Sequence, residues 1–321
     1  MGVHTDLALE AKEIAERDHQ PLPGVESDEQ QQNDIHIHMV RIVSDEGSKR
    51  LNKPQGQYIT LECEQFKDII PDTKTNGAQS IAEQLKRIRP VDKNEAVLVV
   101  GLGNPAITAD SLGPKLTQHI LVTRHIKMLY PDGLDQRLSN VSALVPGVLG
   151  ITGIETGEII RGVAEKIKPA LIIVIDALAA GETRRIASTV QISDTGIHPG
   201  SGVGNHRMEL TKQSLGTDII AIGVPTVVYA RTVARDAMIG VSEMIKQDKP
   251  KKAGKFPFLG EINPQDADEL LDDTLDDEMK RLVVAPKDID QLIDKMAEMV
   301  ADGLNQYLHY ECTPDVIAAY M

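Results

Sequence analysis

The 321-residue chain has no tryptophan, three phenylalanines and six tyrosines. Single-stranded nucleic acid is gripped by stacking its bases on aromatic rings, so a chain this poor in them is not a stacking platform. Basic residues are also in deficit: 34 Lys and Arg stand against 48 Asp and Glu, a formal net charge of −14. Non-specific DNA or RNA binding needs a Lys/Arg surplus on the binding face, and the balance argues against it. A local basic pocket could still hold an acidic substrate. Only two cysteines occur, Cys63 and Cys312, far apart in sequence. That predicts neither a disulfide framework nor a zinc site built from cysteine pairs. No run approaches the roughly 20 apolar residues that cross a bilayer. The first residues lack the basic, apolar, small-residue order of a signal peptide. Gly2 is a candidate lipid signal, but Asp6 stands where that pattern needs Ser or Thr. These absences together predict a reduced, cytoplasmic protein without a membrane partner.

What is present is enough to fold: 41% of residues are hydrophobic and 26% charged, an ordinary globular balance with a sizeable core. Residues 1–34 are polar. They read as a short helix at 9–17 and then a loop, with a Glu/Asp/Gln-rich run at 26–34. Residues 35–39 and 58–63 alternate apolar and polar, the period of half-buried strands. His36 and His38 share one face of the first of these; with no third ligand nearby, solvated side chains are favoured over a metal pair. Residues 80–88 read as a helix stopped by Pro90. Residues 96–100 and 171–175 are unbroken apolar runs, as in strands buried on both faces. Weaker strands follow at 142–145, 187–192 and 219–222, with helices at 155–167 and 225–245, Pro225 suiting a first turn. Alternating strands and helices predict an α/β fold: an open, mainly parallel sheet flanked by helices. Residues 261–278 carry nine acidic side chains and no basic one. Residues 248–280 are therefore expected to form a flexible, solvated connection, away from any site. Residues 288–309 carry an apolar helical stripe, for core packing or a subunit interface.

Three glycine-rich segments follow strands. Gly101-Leu102-Gly103-Asn104-Pro105 begins like a dinucleotide fingerprint but lacks its third glycine, and Pro105 interrupts the turn. No Gly-Lys-Ser/Thr follows, so it is not a phosphate loop. It reads as a turn admitting a ligand, with Asp110 delivered beyond it. The second segment places Asp176 at the carboxyl end of a buried strand, where open α/β sheets bind ligands; a helix N-cap is the plainer role. The third, residues 194–205, includes Thr195, His198 and Gly202 and has unusual backbone freedom. Two carboxylates at one sheet edge cannot both ionise freely, so Asp110 and Asp176 could share a proton and activate water. The same pair could hold a divalent cation. No cofactor is otherwise expected. A serine elbow is absent, and neither cysteine adjoins a glycine-rich site.

At these segments the chain resembles the germination protease family of spore-forming bacteria. The matching runs are 99–104, 112–114, 121–125, 146–156, 175–180, 191–205 and 221–228. The similarity extends more weakly through both ends. The resemblance implies an endopeptidase that degrades small acid-soluble spore proteins during germination, in the spore core of the forespore. It implies a zymogen, a homotetramer and a fold like that of hydrogenase-maturation proteases, with N-terminal strands and a C-terminal helix added. The family's proposed catalytic aspartates fall on Asp110 and Asp176, with Gly103, Asn104, Thr195, His198 and Gly202 as supporting loop candidates. The family cuts after an acidic residue and before a large apolar residue followed by Ala. Thr5-Asp6-Leu7-Ala8 fits that rule, so self-cleavage between Asp6 and Leu7 is expected. Residues 1–6 would be the pro-segment and 7–321 one protease domain, its core at about 92–247. Arg124, Arg184, Arg185 and Arg207 are unranked candidates to read the acidic side chain. Two other readings use the same loops: an enzyme like peptidyl-tRNA hydrolase, sharing the Gly-Leu-Gly-Asn-Pro start, and a non-catalytic small-ligand module.

Overall fold

The computed structural model describes residues 5–16, 22–68, 71–130, 135–197, 208–247 and 262–321. In chain order the first elements are α1 (Ala8–Glu16), β1 (Val25–Gln32), β2 (Ile35–Ile42), α2 (Asp45–Leu51), β3 (Gly56–Glu62), α3 (Pro71–Ile88), β4 (Ala96–Gly101), α4 (Leu112–Thr117), α5 (Arg124–Leu129) and β5 (Asn140–Leu144). Next come α6 (Leu149–Thr152), α7 (Thr156–Ile167), β6 (Leu171–Ala180), β7 (Thr189–Ser193), α8 (Lys212–Leu215), β8 (Asp218–Tyr229) and α9 (Ala230–Gln247). The chain closes with α10 (Pro264–Thr274), α11 (Asp277–Arg281), β9 (Val283–Val284), α12 (Ile289–Leu308) and α13 (Pro314–Ala318).

One sheet runs β1-β2-β3-β7-β8-β6-β4-β5, with β9 paired to β8. The strands β5, β4, β6 and β8 are parallel. β7, β3, β2 and β1 extend that core antiparallel. This is the expected helix-flanked α/β sheet with N-terminal strands and a C-terminal helix added. Successive side chains of a strand face opposite ways, and the core divides accordingly. Val97, Val99, Ile173 and Ile175 join α12 and Leu85 of α3 in one cluster. Leu98, Val100, Ile172 and Val174 join Ile160 and Ala164 of α7 in another, on the opposite face. The apolar stripe of α12 is thus core: Leu292, Ile293, Met296, Met299, Val300 and Leu304 are all buried.

Three segments differ from the sequence reading. Residues 26–32, expected in a loop, pair throughout with β2 as an antiparallel strand. Both faces of β1 are almost wholly exposed, so it has no apolar alternation to betray it. The helix expected from Pro225 starts at Ala230 instead, and β8 runs through the proline. The stretch from Ile219 to Thr226 is buried and mostly β-branched, which suits a strand. The proline is accommodated because the β6–β8 register shifts between Leu178 and Ala179, leaving Thr226 as the extra residue. Finally, part of the expected solvated connection at 248–280 instead folds into α10 and α11. Asn263 caps α10 through a reciprocal pair with Asp266, and Pro264 occupies the first turn. Arg231 of α9 pairs with Asp268 at 3.3 Å and Asp272 at 3.2 Å, holding the acidic helix against the fold. Residues 248–261 lie outside the described residues.

His38 is also not simply solvated. It lies 3.4 Å from Glu29 and 3.3 Å from Glu62, and its hydrogen bond to Glu62 raises its pKa against the effect of burial. Among the described residues, no helix is long and apolar enough to cross a membrane.

Candidate active site

From β4 the chain leads to β5 on one side, and β6 lies on the other. That reversal is where open α/β sheets leave a crevice beyond the strands' carboxyl ends. The loop leaving β4 carries Asp110, and β6 carries Asp176. Leu102 N–H donates to Ile175 O at 2.8 Å, tying the loop to the residue before Asp176. Gly103 has φ +115°, and a Cβ there would overlap the Asp110 carbonyl oxygen, so only glycine lets the loop fold back. Asn104 N–H then donates to Asp110 Oδ2 at 2.8 Å. The extra residue of the bulge, Thr226, donates through Oγ1 to Ala109 O at 2.7 Å and steadies the same turn.

Asp176 sits inside β6, opposite Gly223 of β8. It is therefore not a helix N-cap. Its Oδ1 accepts Ala177 N–H at 3.0 Å. Asp110 and Asp176 are both half-buried and line one cleft. Gly103 and Thr195 line it too; Thr195 Oγ1 is 3.3 Å from Ser193 Oγ. His198, Gly202 and Arg207 lie outside the described residues. Among the described residues, no group of three or more His, Cys, Asp or Glu side chains could hold a metal ion.

The cleft also receives the start of the described chain. Asp6 pairs with the end of β6 on both sides: its N–H donates to Ala179 O at 3.1 Å, and its Oδ2 accepts Ala179 N–H at 2.8 Å. Lys53 Nζ donates to Thr5 O at 3.2 Å and Asp6 O at 3.0 Å. The Gln191 amide spans the Asp6–Leu7 bond, donating to Asp6 O at 3.2 Å and accepting Ala8 N–H at 2.7 Å. Leu7 and Ala8 are fully buried, Ala8 among Val40, Ile42, Leu51 and Tyr58. Burial pushes the Lys53 amine below its usual pKa, opposed by the charges of Asp6 and Glu10.

Of the arginine candidates, Arg185 is committed elsewhere. It is fully buried, with Glu13 and Glu62 at 2.7 Å and Glu10 at 3.3 Å. Burial alone would raise the Glu62 carboxyl, but His38, Arg185 and Arg184 bring it down to about 2. Arg184 is exposed and bonded to Glu182 at 2.7 Å. Arg124 starts α5. The groups that hold residues 5–8 are ones sequence reading missed: Lys53, Gln191 and the Ala179 amide. The acidic helices, expected away from the site, instead contribute Asp268, Glu269 and Asp272 to the cleft lining.

A family described as germination protease matches residues 3–247 and 240–321. The germination protease of Caldanaerobacter subterraneus subsp. tengcongensis is 42% identical over 305 residues, covering 95% of this chain and 94% of that one. That of Clostridium tetani is 42% identical over 324 residues, covering all of both chains. That of Priestia megaterium is 39% identical, covering 99% of this chain and 97% of that one. Among solved structures, the [NiFe] hydrogenase maturation protease HycI of Thermococcus kodakarensis KOD1 matches at 21% identity and a TM-score of 0.26. That match covers 41% of this chain and 74% of that one.

Proposed function

Because the chain belongs to the germination protease family and is a protease, we propose that it is an endopeptidase in which Asp110 and Asp176 act as an acid–base pair. One carboxylate takes a proton from water, whose oxygen attacks the scissile carbonyl carbon. The other, protonated, gives its proton to the departing amide nitrogen as the C–N bond breaks. Its substrates are small acid-soluble spore proteins, cut after an acidic residue and before a large apolar residue followed by Ala. It works in the cytoplasm of the spore core as a homotetramer, made as a zymogen that cuts itself between Asp6 and Leu7.

The observation that carries this reading is the seating of Thr5 and Asp6 in the cleft that Asp110 and Asp176 line, with Leu7 and Ala8 buried directly after them. The acidic side chain meets a backbone N–H, and the large apolar residue and the alanine are enclosed. The test is self-processing. Protein held at mildly acidic pH loses residues 1–6 by mass spectrometry. Asp176→Asn and Asp110→Asn each slow that loss and the cutting of spore proteins by about 10²–10⁴-fold, the usual range for acid–base catalysis. A variant that still processes itself at the original rate removes that aspartate from the mechanism.

A further inference from the structure

We propose that the α-ammonium group released at Leu7 is captured by the buried carboxylate of Glu10, so that cleavage exchanges a hydroxyl bridge for an ion pair at the start of α1. The inference rests on the reading that the chain cuts itself between Asp6 and Leu7. Hydrolysis adds the hydroxyl of water to the Asp6 carbonyl carbon and its hydrogen to the Leu7 nitrogen. At neutral pH that amine takes a further proton from solvent.

The geometry that prepares this step is already present. Leu7 immediately precedes α1, and Glu10 is the third residue of that helix. In this arrangement a Glu can reach back to the nitrogen before the helix. Here Thr5 stands between the two: its Oγ1 accepts Leu7 N–H at 3.0 Å and donates to Glu10 Oε2. One hydroxyl oxygen therefore links the future ammonium nitrogen to the carboxylate. Thr5 leaves with the pro-segment, and both groups lose their partner together.

Glu10 is also a carboxylate in need of a cation. It is 2% exposed, and its Oε1 has one charged neighbour, Arg185 Nη1 at 3.3 Å, without a well-formed hydrogen bond among the described residues. Oε2 accepts Gly181 N–H at 2.6 Å, just beyond β6. The nearest cation, Arg185, is shared with Glu13, Glu62 and Glu182. The other basic groups of the cluster are engaged as well: Arg184 with Glu62 and Glu182, His38 with Glu62, and Lys53 with the carbonyls of residues 5 and 6. Glu10, Glu13, Glu62 and Glu182 thus all divide the one Arg185 guanidinium, and a new ammonium at Leu7 gives Glu10 a cation of its own. The helix dipole opposes a cation there, but only weakly beside a desolvated opposite charge.

The experiment follows the amine. Full-length protein is allowed to process itself, then pulsed with acetic anhydride, and acetylation at Leu7 is read by mass spectrometry against the free peptide Leu-Ala-Leu-Glu-Ala. Pairing slows labelling by about tenfold or more, the effect of one pKa unit on the reactive fraction. Glu10→Gln keeps an acceptor for Gly181 but removes the charge, and labelling returns to the peptide's rate. Glu13→Gln removes a charge from the same Arg185 cluster and leaves the protection in place. Should Glu10→Gln not fold, NMR titration of the Leu7 amine in the unsubstituted processed protein decides: a pKa above the usual α-amino value supports the pair, and one at or below it overturns it. A cut terminus that labels like the free peptide overturns this inference alone. No cut between Asp6 and Leu7 overturns it together with the self-cleavage reading.

Discussion

His309 is fully buried where α12 ends. It accepts Ser139 N–H on Nδ1 at 3.1 Å, so Nε2 carries the proton and donates to Leu121 O at 3.2 Å. Burial lowers its pKa to about 4. The folded ring therefore stays neutral where the unfolded one, near 6.5, takes a proton. Its contribution is whole above about pH 6.5, is lost as the pH falls toward about 4, and changes no further below that. The loss is on the order of 3 kcal/mol. Denaturant titrations at pH 7.5 and pH 4.5 should show it, and His309→Gln should show a smaller difference between the two. At this scale the apolar runs at 96–100 and 171–175 located β4 and β6, and with them the loop that carries Asp110 and the strand that carries Asp176, which line one cleft. The sequence was silent on Lys53, Gln191 and Glu10. Their partners lie far along the chain, as Gln191 and Ala8 do, 183 positions apart, and a polar residue carries no local mark of such a contact.

Among the described helices, the most extensive packing is between α12 and α3. A Cβ at Gly303 would come 2.8 Å from the Ala78 carbonyl oxygen and 2.9 Å from the Ile81 side chain. Gly303→Val therefore forces the two helices apart and destabilises by about 1–3 kcal/mol. Gly240 in α9 is exposed and has nothing within 4 Å of such a Cβ. Gly240→Ala gains roughly 0.5–1 kcal/mol from helix propensity alone. Thermal unfolding should move in opposite directions for the two variants. The elements legible in the sequence were those with one strong signal: an unbroken apolar run for β4 and β6, and an apolar helical stripe for α7 and α12. β8 was misread because Pro225 is a helix-start signal in isolation, and only the bulge opposite Leu178 and Ala179 makes it a strand residue. The acidic helices were misread because charge masked a sound cap at Asn263 and a partner on α9, Arg231.

For the molecule as a whole, the parallel centre could be anticipated and the antiparallel wing only in part. Its consequence is an open margin. β1 ends the sheet order, and among the described residues its outer side meets no further strand. A free edge invites another chain's edge to add to it. This one reads Val-Glu-Ser-Asp-Glu-Gln-Gln-Gln, with Glu26, Asp28 and Glu29 exposed. Two copies approaching edge to edge bring like charges together before any ladder forms. Colloidal stability is thus written into a strand with almost no core contribution. Asp28→Val with Gln30→Ile, on one face, should make the protein scatter light increasingly with concentration while its unfolding midpoint barely moves. The unsubstituted chain should stay clear until salt screens the carboxylates. The outermost strand serves solubility by refusing a neighbour.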